Sequence, residues 1–471
     1  MRARLTSLVA IGVTLALSPQ RLQPQSDPNF KLSTSNAQAA AQFRAGITDF
    51  QNISFESANS HFKAAIDADP NFGLARVLYA GTGPVPPGQL EAELNRGVAD
   101  AAAHGNTNEL LLAAAYRENT LGHTDAAKAL FGAAAQLMPN DRIIALSTPG
   151  GFFAGNAQFL RDFATRFPDY PLVYNTLAYT EWVAGNKEAA LAAAKRQVEL
   201  NPSAPNPHDT YAELLQWNGD FLAAASHYKQ AAALTPKFPE AYAGLAEVEA
   251  AQGHYDQARA YLNQAIANAW SQQQKVNYLR QIAGTYAMEG ASAPTILKAL
   301  EAAATEAKAA GDLSQAANLY SQIAATQAAA GNAAAAHQAL ATATGLGGTV
   351  PWNVHYFGGM AHSLLKHWPP AQDELAKLKA DSTAPKSRVA ALEGNMLIQQ
   401  GKPADALKIL MAADTTDLLV MNRIAEAHTA LGHPDEAAKW YARINSNYAI
   451  NMFDWTNVNS RRRARVAVAK R

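Results

Sequence analysis

From Pro171 to about Gln272, apolar side chains recur three and four apart in runs of roughly 14 residues, which is one face of an α-helix. A glycine or a proline interrupts each run. Gly185, Gly219 and Gly253 stand 34 residues apart, and so do Pro168, Pro202 and Pro236. Ala178, Ala212 and Ala246 form a further column at the same spacing, and Ala190, Ala224 and Ala258 another. Large residues fill the columns between: Tyr174, His208 and Tyr242; Leu177, Tyr211 and Leu245; Tyr228 and Leu262, with Ala194 as the small exception. The pattern predicts a helix, a break at the glycine, a second helix and a restart at the proline. Glycine suits a left-handed residue that closes the first helix, and proline, lacking an N–H, suits the stop and restart. The alanine columns predict close helix crossings, because larger side chains would hold the helices apart. Helices under about 12–15 residues are marginal in water, so such hairpins must stack and share one continuous core.

The 34-residue period, with its order of large, small, Gly, Ala, aromatic and Pro slots, resembles the tetratricopeptide repeat family across these three repeats. It departs in two slots. The usual Trp is Tyr174, His208 or Tyr242, and the usual small Gly is Ala178, Ala212 or Ala246. The resemblance implies an all-α fold, a right-handed superhelical solenoid of antiparallel helix pairs. It also implies that the first helix of each repeat lines a concave groove holding a peptide or a partner helix. Opposite the core slots of that helix stand Asn175, Tyr179 and Trp182, then Asp209, Glu213 and Trp217, then Glu247. These seven are the expected peptide-binding groove, where aromatic rings flanked by carboxylates suit a basic or polar peptide. The competing reading packs Trp182 and Trp217 between neighbouring repeats. If the groove reading holds, Trp217→Ala costs under about 1 kcal/mol, against about 3–5 kcal/mol for the core Tyr228→Ala. The family's Asn and Lys/Arg carboxylate clamp is not reproduced.

Along the chain, Arg2 and Arg4 precede an apolar run from Leu5 to Leu17, too short for a stable membrane anchor. Residues 1–18 read as a signal peptide and 19–36 as a flexible lead. Repeats at about 39–72 and 108–141 keep the slots, with Gly46, Ala58, Phe62 and Pro70, then Gly122, Ala127, Phe131 and Pro139. Between them, Gly81–Gly88 is rich in Pro and Gly and reads as a loop. Beyond 272 the period loosens, although Gly290, Gly331, Gly401 and Gly432 still separate helical runs. The expected organisation is a solenoid over 37–345, a break at Gly345–Pro351, degenerate repeats over 346–460, and a basic tail over 461–471.

Hydrophobic residues at 48% with 17% charged fit helical repeats rather than disorder. The absence of cysteine excludes disulfides, thiolate metal sites and Cys nucleophiles. Arg461–Arg471 holds six basic residues; without these and the two at the start, 31 basic residues stand against 39 acidic, a formal −8. An acidic body argues against a nucleic-acid binder. The tail is left with possible weak contact to an anionic membrane surface.

Candidate chemistry dissolves into the repeat. Ser60-His-Phe-Lys63 and Ser226-His-Tyr-Lys229 have the spacing of a Ser nucleophile and its Lys, but both occupy one repeat slot and no Lys-Thr-Gly accompanies them. His123, His254 and His433 each follow a turn glycine. His355, His362 and His367 cluster in sequence, but His355 and His362 are seven apart, and ligands on one helix sit three or four apart. The expectation is no catalytic residue, no metal and no cofactor. The sequence reads as an exported, periplasmic or secreted, non-enzymatic scaffold for a protein or peptide partner. The alternative is an assembly or tethering component of cell-envelope polysaccharide or secretion machinery, held by the tail.

Overall fold

The computed structural model describes residues 31–51, 54–83, 85, 88–138, 141, 144, 155–347, 350–449, 452–453 and 455–469. Among these there are 24 helices and no strand, so the fold is all-α, with helices packed on their neighbours in sequence. The proposed signal peptide lies outside the described residues. None of the described helices is long and apolar enough to cross a membrane.

Two compact bodies divide the chain, one through Ala241 and one from Tyr242. The N-terminal body holds α1 (Ala37–Gln51), α2 (Phe55–Ala68), α3 (Gly73–Thr82), α4 (Leu90–His104), α5 (Thr107–Thr120), α6 (Thr124–Leu137), α7 (Ala157–Arg166), α8 (Pro171–Val183), α9 (Lys187–Leu200), α10 (Pro205–Asn218) and α11 (Phe221–Leu234). The C-terminal body takes α12 (Pro239–Gln252) from Tyr242 on, then α13 (Tyr255–Ala267), α14 (Gln272–Glu289), α15 (Ala293–Ala309), α16 (Leu313–Ala329), α17 (Ala333–Gly345) and α18 (Trp352–Leu364). It continues through α19 (Trp368–Ala380), α20 (Lys386–Gln399), α21 (Pro403–Met411), α22 (Leu418–Ala430), α23 (Pro434–Asn445) and α24 (Trp455–Ala469).

The local physics follows the slots. Pro171 and Pro205 open α8 and α10, where their missing N–H is one a helix start leaves unbonded anyway. Gly219 closes α10 in the left-handed region at φ 90°. Both alanine columns, Ala178, Ala212 and Ala246 and Ala190, Ala224 and Ala258, are fully buried where helices cross. The first large column works as a clasp: Tyr174 Oη donates to Pro168 O at 3.2 Å, and His208 Nε2 lies 3.0 Å from Pro202 O. Each ties the start of its helix to the turn before it.

Three boundaries differ from expectation. No separation falls at the expected break, because Ala317 and Ala343, before it, pack with Val354, after it. The lead is tied down from residue 31: Ser33 N–H donates to Glu109 Oε1 at 2.8 Å, and Asn106 Nδ2 donates to Lys31 O at 2.6 Å. The third is the basic tail, whose residues 461–467 belong to the packed helix α24.

Candidate functional site

Six of the seven expected groove residues are buried: Asn175, Tyr179, Trp182, Glu213, Trp217 and Glu247. Asp209 is half-buried. They do not form an open patch. Between α8 and α10 the side chains of Asn175, Tyr179, Trp182, Glu213 and Trp217 make the contact. Asn175 Nδ2 donates to Thr210 Oγ1 at 2.8 Å, and Tyr179 Oη donates to Glu213 Oε2 at 2.7 Å. The Trp217 ring lies 5.7 Å from Tyr179 and 5.6 Å from Trp182, and the Lys187 ammonium sits 5.2 Å over the Trp182 ring. Burial, with the Glu213 carboxylate beside it, holds the Tyr179 phenol well above its ordinary pKa, so it remains a donor. The reading that packs Trp182 and Trp217 between repeats is the correct one.

In the C-terminal body the first helices carry something on them. Helix α24 returns from the end of the chain to α12, α14 and α22, near the beginning and the end of that body. Its buried stripe is Trp455, Val458, Arg461 and Ala464, three apart. Ahead of it, fully buried Phe453 crosses α14 at Gly284, where an added Cβ would stand 3.2 Å from Phe453 Cβ. A glycine inside a helix costs about 1 kcal/mol relative to alanine; here it admits the crossing chain.

Three arginines of α24, Arg461, Arg463 and Arg465, are engaged, so this part of the expected basic tail is packed. Arg465 Nη2 donates to Ala250 O at 2.8 Å and Ala251 O at 2.7 Å, and Nη1 donates to the Tyr255 hydroxyl. Those carbonyls are at the C-terminal end of α12, where a helix leaves acceptors unfilled and carries partial negative charge. Arg465 is therefore a cap supplied from more than 200 residues away. Arg461 Nη2 donates to Asn447 O at 2.9 Å. Arg463 pairs with Glu426 on α22, a carboxylate that also takes Arg423. Beside α24 a cavity of about 210 Å³ is lined by Ala251, Asn445, Tyr448, Met452, Arg461 and Arg465. Small-ligand sites enclose roughly 300–1,000 Å³.

At the first copy of the Ser-x-x-Lys echo the two side chains turn to other partners. Ser60 Oγ donates back to Glu56 O and Lys63 pairs with Asp67 at 2.6 Å. Of the histidines singled out in sequence, His355 turns to Glu374 at 2.7 Å, a carboxylate that sequence spacing did not bring near. His362 and His367 instead meet His337 from α17.

The fold and these faces define a helical-repeat protein whose repeats pack through their first helices. Residues 218–274 match the tetratricopeptide repeat family. No curated protein matches it in sequence. Among solved structures, a tetratricopeptide-repeat protein of Thermus thermophilus is 24% identical, with a TM-score of 0.33 over 36% of this chain and 97% of that one. Yeast Tom70 is 14% identical with a TM-score of 0.44, over 84% of this chain and 96% of that one. Cut9 with Hcn1, from the APC/C, gives 13% and 0.47, over 93% and 79%.

Proposed function

We propose that this protein is an exported, non-enzymatic scaffold that holds a protein partner as a helix against the first helices of its repeats. Tetratricopeptide repeats support a role in protein–protein interaction. The observation that carries the reading is α24. The chain's own helix lies on the first helices of the C-terminal body as a partner helix would, with apolar residues facing the repeats and Arg465 on helix-end carbonyls. A partner of the same chemistry is an amphipathic helix with arginines beside its apolar stripe. The tethering alternative places its contact on the basic tail, where Arg461 and Arg465 are instead packed within the C-terminal body.

A fluorescent peptide of residues 452–469 tests the reading by anisotropy. Arg465→Glu places a carboxylate against the α12 carbonyls and releases α24 in the full chain. That variant is expected to bind the peptide with a Kd of about 1–100 µM, and the native chain, already occupied, much more weakly. Equal binding by both, or none by either, defeats the proposal. For export, mass spectrometry of the envelope fraction is expected to find a chain beginning after Ser18; an uncut chain confined to the cytoplasm contradicts it.

A further inference from the structure

His337, His362 and His367 come from three elements. His337 is exposed on α17, half-buried His362 is in the last turn of α18, and half-buried His367 immediately precedes α19. A ring nitrogen of each lies within 4.8 Å of one on both of the others. Ring centroids are 5.2 Å apart for His337 and His367, 5.6 Å for His337 and His362, and 6.3 Å for His362 and His367.

The repeat turn makes half of this cluster. His367 N–H donates to His362 O at 2.8 Å, which folds the two side chains together. In two other repeats the same turn sets a histidine against the carboxylate five residues earlier: His123 with Glu118 at 2.7 Å and His254 with Glu249 at 2.9 Å. In a third it pairs His433 with His428, at 5.8 Å between rings. At His367 the position five back is again a histidine, and among the described residues this pair alone gains a third from a neighbouring helix. His362 Nδ1 is buried and has no hydrogen-bond partner among the described residues. His355 lies outside the cluster and is held by Glu374.

We propose that His337, His362 and His367 form a binding site for a divalent transition-metal ion, zinc foremost, joining the helix pair α16–α17 to the pair α18–α19. Three imidazoles and an open fourth position suit zinc, and imidazole also suits copper and nickel. Zinc–nitrogen bonds of about 2.0–2.1 Å put ligand nitrogens roughly 3.3 Å apart. Rotation of the exposed His337 ring closes the cluster onto the ion.

The test uses the full chain without an affinity tag. Zinc is titrated by calorimetry and in competition with a chromogenic chelator, and cobalt is followed by its visible spectrum. About one equivalent is expected to bind, and the thermal midpoint is expected to rise with zinc. His337→Gln changes an exposed side chain, so the fold is retained, and it is expected to weaken binding at least about tenfold and abolish the thermal rise. His433→Gln, in the two-histidine turn, is expected to change neither. Absence of saturable binding up to millimolar zinc overturns the proposal. So does binding that survives His337→Gln unchanged, which would place the ion on other histidines.

Discussion

The first helices of the two bodies are made from similar sequence and are completed in different ways. Between Pro171 and Asn218 each first helix satisfies the next: Asn175 bonds Thr210, Tyr179 bonds Glu213, and Trp182 and Tyr179 flank Trp217. In the C-terminal body, α12, α14 and α22 receive a helix from the end of the same chain. Position along the chain explains the difference. A face that completes itself through neighbours one period apart needs nothing further. On the C-terminal face Gly284, the Ala250 and Ala251 carbonyls and the Glu426 carboxylate are met by Phe453, Arg465 and Arg463.

The largest test of that contrast is Trp217→Ala. As a seam residue, 7% exposed and in ring contact with two neighbours, it is expected to cost about 3–5 kcal/mol, as for other buried aromatics. Tyr228→Ala, also buried, is expected to cost the same about 3–5 kcal/mol. Urea unfolding of both variants measures this. A loss under about 1 kcal/mol for Trp217→Ala alone would return it to an open groove.

Arg465→Ala probes the other face. It removes charge-assisted bonds to Ala250 O and Ala251 O and is expected to cost about 1.5–3 kcal/mol. The loss should be local, so hydrogen exchange is expected to quicken in α24 and in the last turn of α12 while α8–α11 keep their protection. Uniform quickening throughout, or none, breaks the contrast.

The repeat slots were legible because one period repeats one environment: every alanine of the two columns meets a helix at the same crossing. The same logic misled for Asn175 to Glu247. Being opposite the core of its own hairpin says nothing about the next hairpin, and that is where Thr210 and Trp217 close the face. Helix α24 was hidden because an arginine occupies the third place of its buried stripe, which reads as tail, and the partners of Arg465 lie some 210 residues away. His337 was missed for a related reason, since only packing brings α17 to the turn at His367.

That turn holds a smaller test. Lys366 occupies the slot filled by Gly219 in α10 and is the one non-glycine residue at positive φ, 60°, among the described residues. A side chain in the left-handed region costs about 1–2 kcal/mol. Lys366→Gly is expected to return about 1 kcal/mol or less, because glycine also gains freedom in the unfolded chain. A higher thermal midpoint checks it; a lower one would mean that the Lys366 side chain contributes contacts outweighing the strain.

The smallest expected effect is a pH dependence set mainly by the C-terminal body. Burial is the leading cause that holds His362 and His428 there, and His227 in the N-terminal body, below the ordinary value of 6.5; a neighbouring histidine adds to each. Below pH 6.5 the unfolded chain therefore binds more protons than the folded one, and stability rises with pH across that range. The contribution is fully present above 6.5 and is lost as the pH falls through it towards the folded values. All three rings are partly exposed, so solvent screens the effect. Melting curves between pH 7.5 and 5.5 stay clear of most carboxylate titration and are expected to show a falling midpoint on acidification. The fall should be shallower in His362→Gln. A midpoint that rises as the solution is acidified would mean that the folded chain takes up the protons, and that the clustered imidazoles are charged rather than neutral.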